Sequence, residues 1–110
     1  MIGKTVTVTV DRPLGSRHPT HRDILYTVNY GYIDGITAPD GEEQDAYILG
    51  VDTPTEKFTG KIIAIIHRLN DIEDKWVVAP HGAHFTKDEI MRQVSFQEQY
   101  FDIEILTDIS

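Results

Sequence analysis

Short segments rich in apolar and β-branched residues, separated by turn residues, recur along the chain and constrain its fold more than any other feature. From Thr5 to Val10, threonine and valine alternate strictly, which predicts a half-buried strand whose core side carries Val6, Val8 and Val10. Further apolar runs predict strands at residues 24–33, 46–51, 61–67, 76–79 and 102–106. Short strands at this spacing are typical of a small β-barrel or β-sandwich.

A helix is predicted after these strands. Thr86 and Glu89 have the spacing of a capping box, and Asp88 favours the positive first turn. The residues that follow predict an apolar stripe facing a sheet or barrel, formed by Ile90, Val94, Tyr100 and Phe101.

The length and charge of the chain limit its function. With 110 residues, we expect a single domain at residues 1–110. The formal charge of −8 disfavours nucleic acid as a partner, and no apolar run approaches the roughly 18 residues of a membrane span. The N-terminus enters the first strand without the pattern of a signal peptide, so a cytoplasmic location is expected.

The segment from Tyr26 to Asp45 combines closely spaced tyrosines with an acidic turn. Gly31, within the predicted strand, indicates a bulge or a close approach of backbones, and Asp34-Gly35 predicts a turn. The turn that follows places carboxylates around a glycine, at Asp40, Glu42, Glu43 and Asp45. Carboxylates this close repel one another unless water or a cation screens them, and such a turn can direct oxygens at a hard cation. The alternative is a solvated acidic loop.

Residues 29–33, NYGYI, followed by residues 40–46, DGEEQDA, resemble the core of the soluble family I inorganic pyrophosphatases. Two positions depart from that family's pattern: Glu42 stands where an aspartate is expected, and Gln44 where an apolar residue is expected. The resemblance extends from about Thr5 to Phe101. It implies a mainly β (α+β) fold, a small closed OB-like β-barrel with one flanking C-terminal helix, and assembly as a homo-oligomer.

The resemblance implies that divalent cations, Mg²⁺ or another ion such as Mn²⁺, are held by carboxylates. The matching ligands are Asp40, Asp45, Asp71 and either Glu73 or Asp74, with Asp11 available for an additional ion. Oxygen ligands of this kind suit Mg²⁺. Asp11 opens a second matching segment that ends in Gly15, Ser16 and Arg17.

The resemblance also implies catalytic and substrate-binding residues. Glu42 occupies the position of the carboxylate that orients or deprotonates the attacking water. Tyr30 is the second catalytic residue, and phosphate is bound by Tyr30, Lys75, Tyr100 and one or both of Arg17 and Arg22. Two expected lysines are absent, because the chain has Pro19 and Phe101 at their places.

These observations predict Mg²⁺-dependent hydrolysis of inorganic pyrophosphate. Because donors are missing, two alternatives stay open: hydrolysis of another phosphoanhydride, and a metal- or phosphate-binding module without turnover.

Overall fold

The computed structural model describes residues 2–70 and 73–107. Within these residues the chain forms strands β1 to β6 and one helix, α1. In chain order the elements are β1 (Thr5–Arg12), β2 (Asn29–Thr37), β3 (Glu43–Ile48), β4 (Lys57–Arg68), β5 (Asp74–Ala79), α1 (Lys87–Glu98) and β6 (Ile103–Thr107).

The sheet closes on itself. Its strand order is β1-β2-β3-β5-β4-β6, and β1 also pairs with β4, so β1 to β5 form a closed barrel that β6 extends. The β3–β5 pair is parallel and the other pairs are antiparallel. The predicted closed OB-like barrel with a flanking helix is confirmed.

Strand β4 is long enough to pair with both β1 and β6. Its first residues, Lys57 to Lys61, pair with β1, whereas Ala64 to Arg68 pair with β6 along the same edge. The register against β5 shifts between Ile62 and Ala64. Such a bulge changes the face on which the following side chains lie. Accordingly, Ile62 packs inside the barrel, and Ala64 and Ile66 pack beneath the helix.

Two apolar clusters fill the molecule. The barrel interior is formed by Val6, Val8, Ile33, Ala46, Ile48, Ile62, Trp76 and Val78. The cluster beneath α1 contains Tyr26, Val28, Tyr30, Tyr47, Leu49, Ala64, Ile66, Val77, Ile90 and Val94. Strand β3 separates them, since alternate side chains of a strand point to opposite faces.

The helix begins as predicted. Thr86 is its N-cap, and Thr86 and Glu89 form a reciprocal capping box. Ile90 and Val94 are buried, but the helix ends at Glu98, and Tyr100 is 61% exposed. Placing Tyr100 and Phe101 on the helical stripe was therefore wrong, because both follow the end of the helix. Within the described residues, no helix has the length and apolar character needed to cross a membrane.

The second strand begins and ends later than predicted. It starts at Asn29 rather than at residue 24, and it runs through Asp34 and Gly35, where the sequence predicted a turn. Asp34 accepts a hydrogen bond from Thr9 and pairs with Lys57 at 3.2 Å. These contacts keep the segment in line with β1 and β4, and the positive φ of Gly35 (77°) is accommodated within an irregular part of the strand.

The predicted close approach at Gly31 is confirmed. A Cβ atom there would lie 1.9 Å from the backbone oxygen of Thr9. We therefore expect Gly31→Ala to lower the free energy of unfolding by about 2–3 kcal/mol or more, because the neighbouring backbone must move. Urea denaturation would measure the change. Gly82→Ala is the control, because a Cβ atom at Gly82 would have no atom within 4 Å. Gly82 differs from Gly31 in having a positive φ of 84°, so its substitution should cost about 1 kcal/mol through backbone strain alone. Equal losses in both variants would contradict the prediction.

Candidate active site

An acidic pocket of about 260 Å³ lies between the ends of several barrel strands. Its carboxylates come from the end of β1, the β2–β3 turn, β3 and the start of β5: Asp11, Asp40, Glu42, Glu43, Asp45, Glu73 and Asp74. Every described carboxylate that the sequence proposed for metal binding or water activation lines this pocket. Asp71 lies outside the described residues.

The β2–β3 turn is held by its own backbone. Ala38 donates to the carbonyl oxygen of Glu42 (2.7 Å), and Gly41 donates to that of Ala38 (3.0 Å). The side chain of Asp40 accepts a hydrogen bond from the amide of Glu42 at 3.0 Å. Gly41 has φ of 86°, a conformation that glycine adopts without strain. The turn thereby presents the Asp40 and Glu42 side chains at the pocket.

Lys75 is the central cation of the site. Its side chain is buried, with an exposed fraction of 4%, and its Nζ atom donates to both Asp45 Oδ2 and Glu73 Oε1 at 2.6 Å. Charge-assisted hydrogen bonds of this length are strong. Lys75, on β5, therefore links Asp45 on β3 to Glu73, which directly precedes β5.

The neighbouring acids Glu73 and Asp74 have different partners. Glu73 contacts Lys75, whereas Asp74 pairs with His67 Nδ1 at 2.6 Å. Gln44 stands where the resemblance expects an apolar residue. Its side chain is buried all the same, because its amide donates to the backbone oxygens of Asp45 and Asp74. Both acids line the pocket, and Glu73 is the one that shares a cation with Asp45.

The residues present fit a divalent cation in their chemistry. The pocket offers hard carboxylate oxygens, which Mg²⁺ prefers. Among residues 2–70 and 73–107, no three His, Cys, Asp or Glu side chains are gathered closely enough to hold a metal ion as they stand. Lys75 lies between two of the acids, Asp45 and Glu73. Metal binding would require these side chains to rearrange.

A larger pocket of about 580 Å³ adjoins the acidic one, and Asp11 and Asp45 line both. Its cationic side chains are Arg12, Arg68 and Lys75, and its rings are His18, His21, Tyr26, Tyr30, Tyr100 and Phe101. The proposed phosphate ligands Tyr30, Lys75 and Tyr100 are therefore brought together here. This pocket provides hydrogen-bond donors beside the carboxylates.

Tyr30 lies at the boundary between the acids and the aromatic cluster. Burial raises the pKa of its hydroxyl well above the usual value, and the negative charge of Asp45 raises it further. The hydroxyl therefore stays protonated near neutral pH and can act as a donor.

The structure places neither Arg17 nor Arg22 in the larger pocket. Both are exposed, and the Arg17 guanidinium donates to the backbone oxygen of Arg22 at 3.0 Å. Arg12 and Arg68, which the sequence did not single out, line the pocket instead. Arg12 lies 3.8 Å from Asp11. Burial raises the pKa of the Asp11 carboxyl, and Arg12 opposes this effect.

Arg68 belongs to a buried ionic network. Its Nε and Nη2 atoms donate to the two carboxylate oxygens of Glu98 at 3.0 and 2.6 Å, and Glu98 has no exposed surface. Tyr47 also donates to Glu98, at 2.6 Å. Burial opposes the charge of Arg68, yet the bonds and charge of Glu98 raise the pKa of Arg68 above its ordinary value.

The network connects the helix to the acidic pocket. Besides Glu98 on α1, Arg68 contacts Glu73 at 3.5 Å, and Glu73 in turn holds Lys75. The guanidinium also stacks on the ring of Phe101, 3.7 Å from its centroid. Arg68 is thus a cation beside the position where the resemblance expects a lysine.

No protein-family model matches the sequence, and no curated protein is significantly similar to it. Solved structures match the fold. An inorganic pyrophosphatase from Ehrlichia chaffeensis is 16% identical with a TM-score of 0.71, over 97% of this chain and 88% of its own. One from Neisseria gonorrhoeae is 17% identical with a TM-score of 0.67, over 89% of this chain and 74% of its own. One from Coxiella burnetii is 14% identical with a TM-score of 0.67, over 97% and 86%. The chain therefore has the fold of these inorganic pyrophosphatases, with a divergent sequence.

Proposed function

We propose that the protein hydrolyses inorganic pyrophosphate to two phosphates in a Mg²⁺-dependent reaction. One observation carries the proposal: a pocket of carboxylates adjoins a pocket of phosphate donors, with Asp11 and Asp45 lining both. The shared fold with solved inorganic pyrophosphatases supports it.

Pyrophosphate hydrolysis requires that dense negative charge be offset and that a water be activated. Mg²⁺, when bound, supplies both effects. Its ligands would be Asp40, Asp45 and Glu73, with Asp74, Asp11 and Asp71 as further acids. The donors Tyr30 and Lys75 would hold the leaving phosphate and stabilise the charge that develops on it.

Glu42 is the residue that would orient the attacking water and take its proton. It is exposed and lies in the acidic pocket, on the turn that Gly41 forms. A glutamate reaches one methylene further than the aspartate that the resemblance implies. Its carboxylate keeps the chemistry of a general base.

We expect Glu42→Asp to retain activity and Glu42→Gln to lose about 10²-fold or more, because an amide cannot accept the proton. Phosphate release would be measured for both variants across a range of Mg²⁺ concentrations. If Glu42 only binds metal, excess Mg²⁺ should rescue the Gln variant. Equal rates in the wild type and both variants would exclude Glu42 from the mechanism.

The function itself is tested by phosphate release from pyrophosphate, ATP and tripolyphosphate, with Mg²⁺ and with EDTA. The expected result is release from pyrophosphate that EDTA abolishes. Thermal unfolding should show stabilisation by Mg²⁺, because an ion that binds only the folded protein adds RT ln(1 + [L]/Kd). If phosphate release and Mg²⁺ stabilisation were both absent, the acidic turn would be a solvated loop and the proposal would fail.

A second candidate is a metal- or phosphate-binding module without turnover. The observations in its favour are that Lys75 already bridges Asp45 and Glu73 and that Glu98 neutralises Arg68. Stabilisation by Mg²⁺ without phosphate release from any of the substrates would identify it.

Three further parts of the proposal rest on the length, the charge and the patterning of the sequence, and on the resemblance. The protein is a single domain at residues 1–110, it acts in the cytoplasm, and it assembles as a homo-oligomer that binds neither nucleic acid nor membrane. Light scattering after size-exclusion chromatography would test the assembly, and a monomer at micromolar concentration would contradict it.

A further inference from the structure

We propose that the larger pocket accepts a phosphoanhydride carrying an organic group with an aromatic ring, as in a nucleoside diphosphate. The diphosphate would lie towards the acidic pocket and the ring in the 580 Å³ pocket. This inference rests on the proposed function, because it extends the substrate class of the same site.

The size of the pocket is the first argument. Pyrophosphate fills roughly 200 Å³, at the approximately 30 Å³ that each oxygen occupies in liquid water. The larger pocket alone has about 580 Å³, and the acidic pocket adds about 260 Å³. Pockets of about 300–1,000 Å³ hold organic ligands of drug size. The space beyond a bound pyrophosphate is therefore sufficient for a nucleoside.

The charge of the pocket is the second argument. Its three cations each have a carboxylate partner: Arg12 lies 3.8 Å from Asp11, Arg68 lies 2.6 Å from Glu98, and Lys75 lies 2.6 Å from Asp45. Few positive charges are thus left to bind a dense anion. A fully ionised diphosphate ester carries less negative charge than pyrophosphate, so this pocket suits the ester better.

The wall of the pocket is the third argument. His18 is a flat ring whose orientation is fixed, because its Nδ1 atom accepts hydrogen bonds from the amides of Thr20 and His21 at 3.2 Å. It stacks on Tyr26, with 9° between the ring planes. Partial burial, and then the charges of His21 and Arg12, lower the pKa of His18. The imidazole is therefore neutral near pH 7, and it lines the pocket beside Tyr26 and His21.

The places where the resemblance expects lysines carry other residues. They are Pro19, which follows His18, and Phe101, which lines the pocket together with Ile24 and the exposed Tyr100. Aromatic and apolar side chains hold a base by stacking, at about 1–3 kcal/mol for each base. At Phe101 the wall therefore offers stacking surface where the resemblance expects a charged lysine.

The reaction would follow the same course as with pyrophosphate. Water attacks the terminal phosphorus, and the bond between that phosphorus and the bridging oxygen breaks. The bridging oxygen remains on the organic monophosphate, the water oxygen stays on inorganic phosphate, and the released proton is taken up by Glu42 and then by solvent. No oxidant, reductant or second substrate is needed.

Binding is the direct test. Titration calorimetry in Mg²⁺ would compare α,β-methylene-ADP with methylenediphosphonate, neither of which is hydrolysed at its P–C–P linkage. We expect the nucleotide analogue to bind about tenfold more tightly, which corresponds to about 1.4 kcal/mol of stacking. Equal affinities, tighter binding of methylenediphosphonate, or no binding of either compound would overturn the proposal.

Variants locate the effect in the pocket. His18→Ala and Ile24→Ala should each reduce the preference for the nucleotide analogue, and Phe101→Lys should shift it towards methylenediphosphonate. The matched control is His84→Ala, because His84 is exposed and does not line the pocket, and its preference should equal that of the wild type. An unchanged preference in all three pocket variants would contradict the assignment.

Phosphate release separates this inference from the proposed function. ADP and pyrophosphate would be assayed side by side in Mg²⁺, and release from ADP is expected. Release from pyrophosphate but not from ADP would overturn the inference and retain the function. Release from neither substrate would overturn the proposed function. The inference would then concern binding alone, and the relative affinities of the two analogues would support or overturn it.

Discussion

Asp45→Asn is expected to lower the turnover of pyrophosphate by at least about 10²-fold while the protein stays folded. Asp45 lines both pockets, and its carboxylate holds Lys75 at 2.6 Å. The substitution removes the charge of the proposed metal ligand and weakens its contact with Lys75, the proposed phosphate donor. Removal of a single group that stabilises developing charge typically costs about 10²–10³-fold in rate.

The fold should tolerate this change because asparagine has nearly the same volume and Lys75 keeps Glu73 as a partner. Phosphate release, Mg²⁺-dependent thermal stabilisation and circular dichroism would be measured together. Asp52→Asn is the matched control, since Asp52 is exposed and lines neither pocket. If Asp45→Asn and Asp52→Asn both kept wild-type rates and the same Mg²⁺ response, Asp45 would not be a ligand.

Local patterns in the sequence predicted most of the fold because each depends on neighbouring residues. The capping box at Thr86 and Glu89 needs only the spacing along the helix, and the close approach at Gly31 follows from a glycine within a strand. The position of β2 depends on partners far along the chain, such as Lys57 beside Asp34. Those contacts hold Asp34 and Gly35 in the strand, although this dipeptide on its own predicts a turn.

The buried ion pair was missed, although the sequence contains a signal for it. Glu98 lies four residues after Val94 and eight after Ile90, on the same side of α1. Arg68 follows Ile66 at the alternation of a strand, so it continues an apolar face. A charged residue on each of two apolar faces predicts a buried pair. Which two residues meet depends on the β4–α1 packing, which local spacing does not determine.

The two arginines predicted to bind phosphate show the reverse error, since the sequence suggested residues that do not line the pocket. Arg17 and Arg22 were selected because Arg17 ends the matching segment and both are bases near the place of a missing lysine. Neither lines the pocket, and the Arg17 guanidinium donates to the backbone oxygen of Arg22 instead. Arg12 enters because β1 shifts its register against β2 between Val10 and Arg12. A bulge of this kind redirects side chains and leaves little trace in the sequence.

Glu98→Ala is expected to cause the largest loss of stability, about 3–5 kcal/mol, because it leaves the buried charge of Arg68 without its main partner. Glu98 accepts two hydrogen bonds from Arg68 and one from Tyr47, and it has no exposed surface. A loss of this size is a large part of the roughly 5–15 kcal/mol that stabilises a typical domain. Urea denaturation would measure it.

Two further variants distinguish an unpaired charge from a simple loss of packing. Glu104→Ala on β6 is the exposed control and should change stability by less than about 0.5 kcal/mol. The double variant Arg68→Met with Glu98→Leu should be more stable than Glu98→Leu alone, because replacing both charges removes the cost of burying either one. If the double variant were less stable than Glu98→Leu, the cost would come from the shape of the packing. In that case Arg68 would contribute to stability through its contact with Phe101 rather than through its charge.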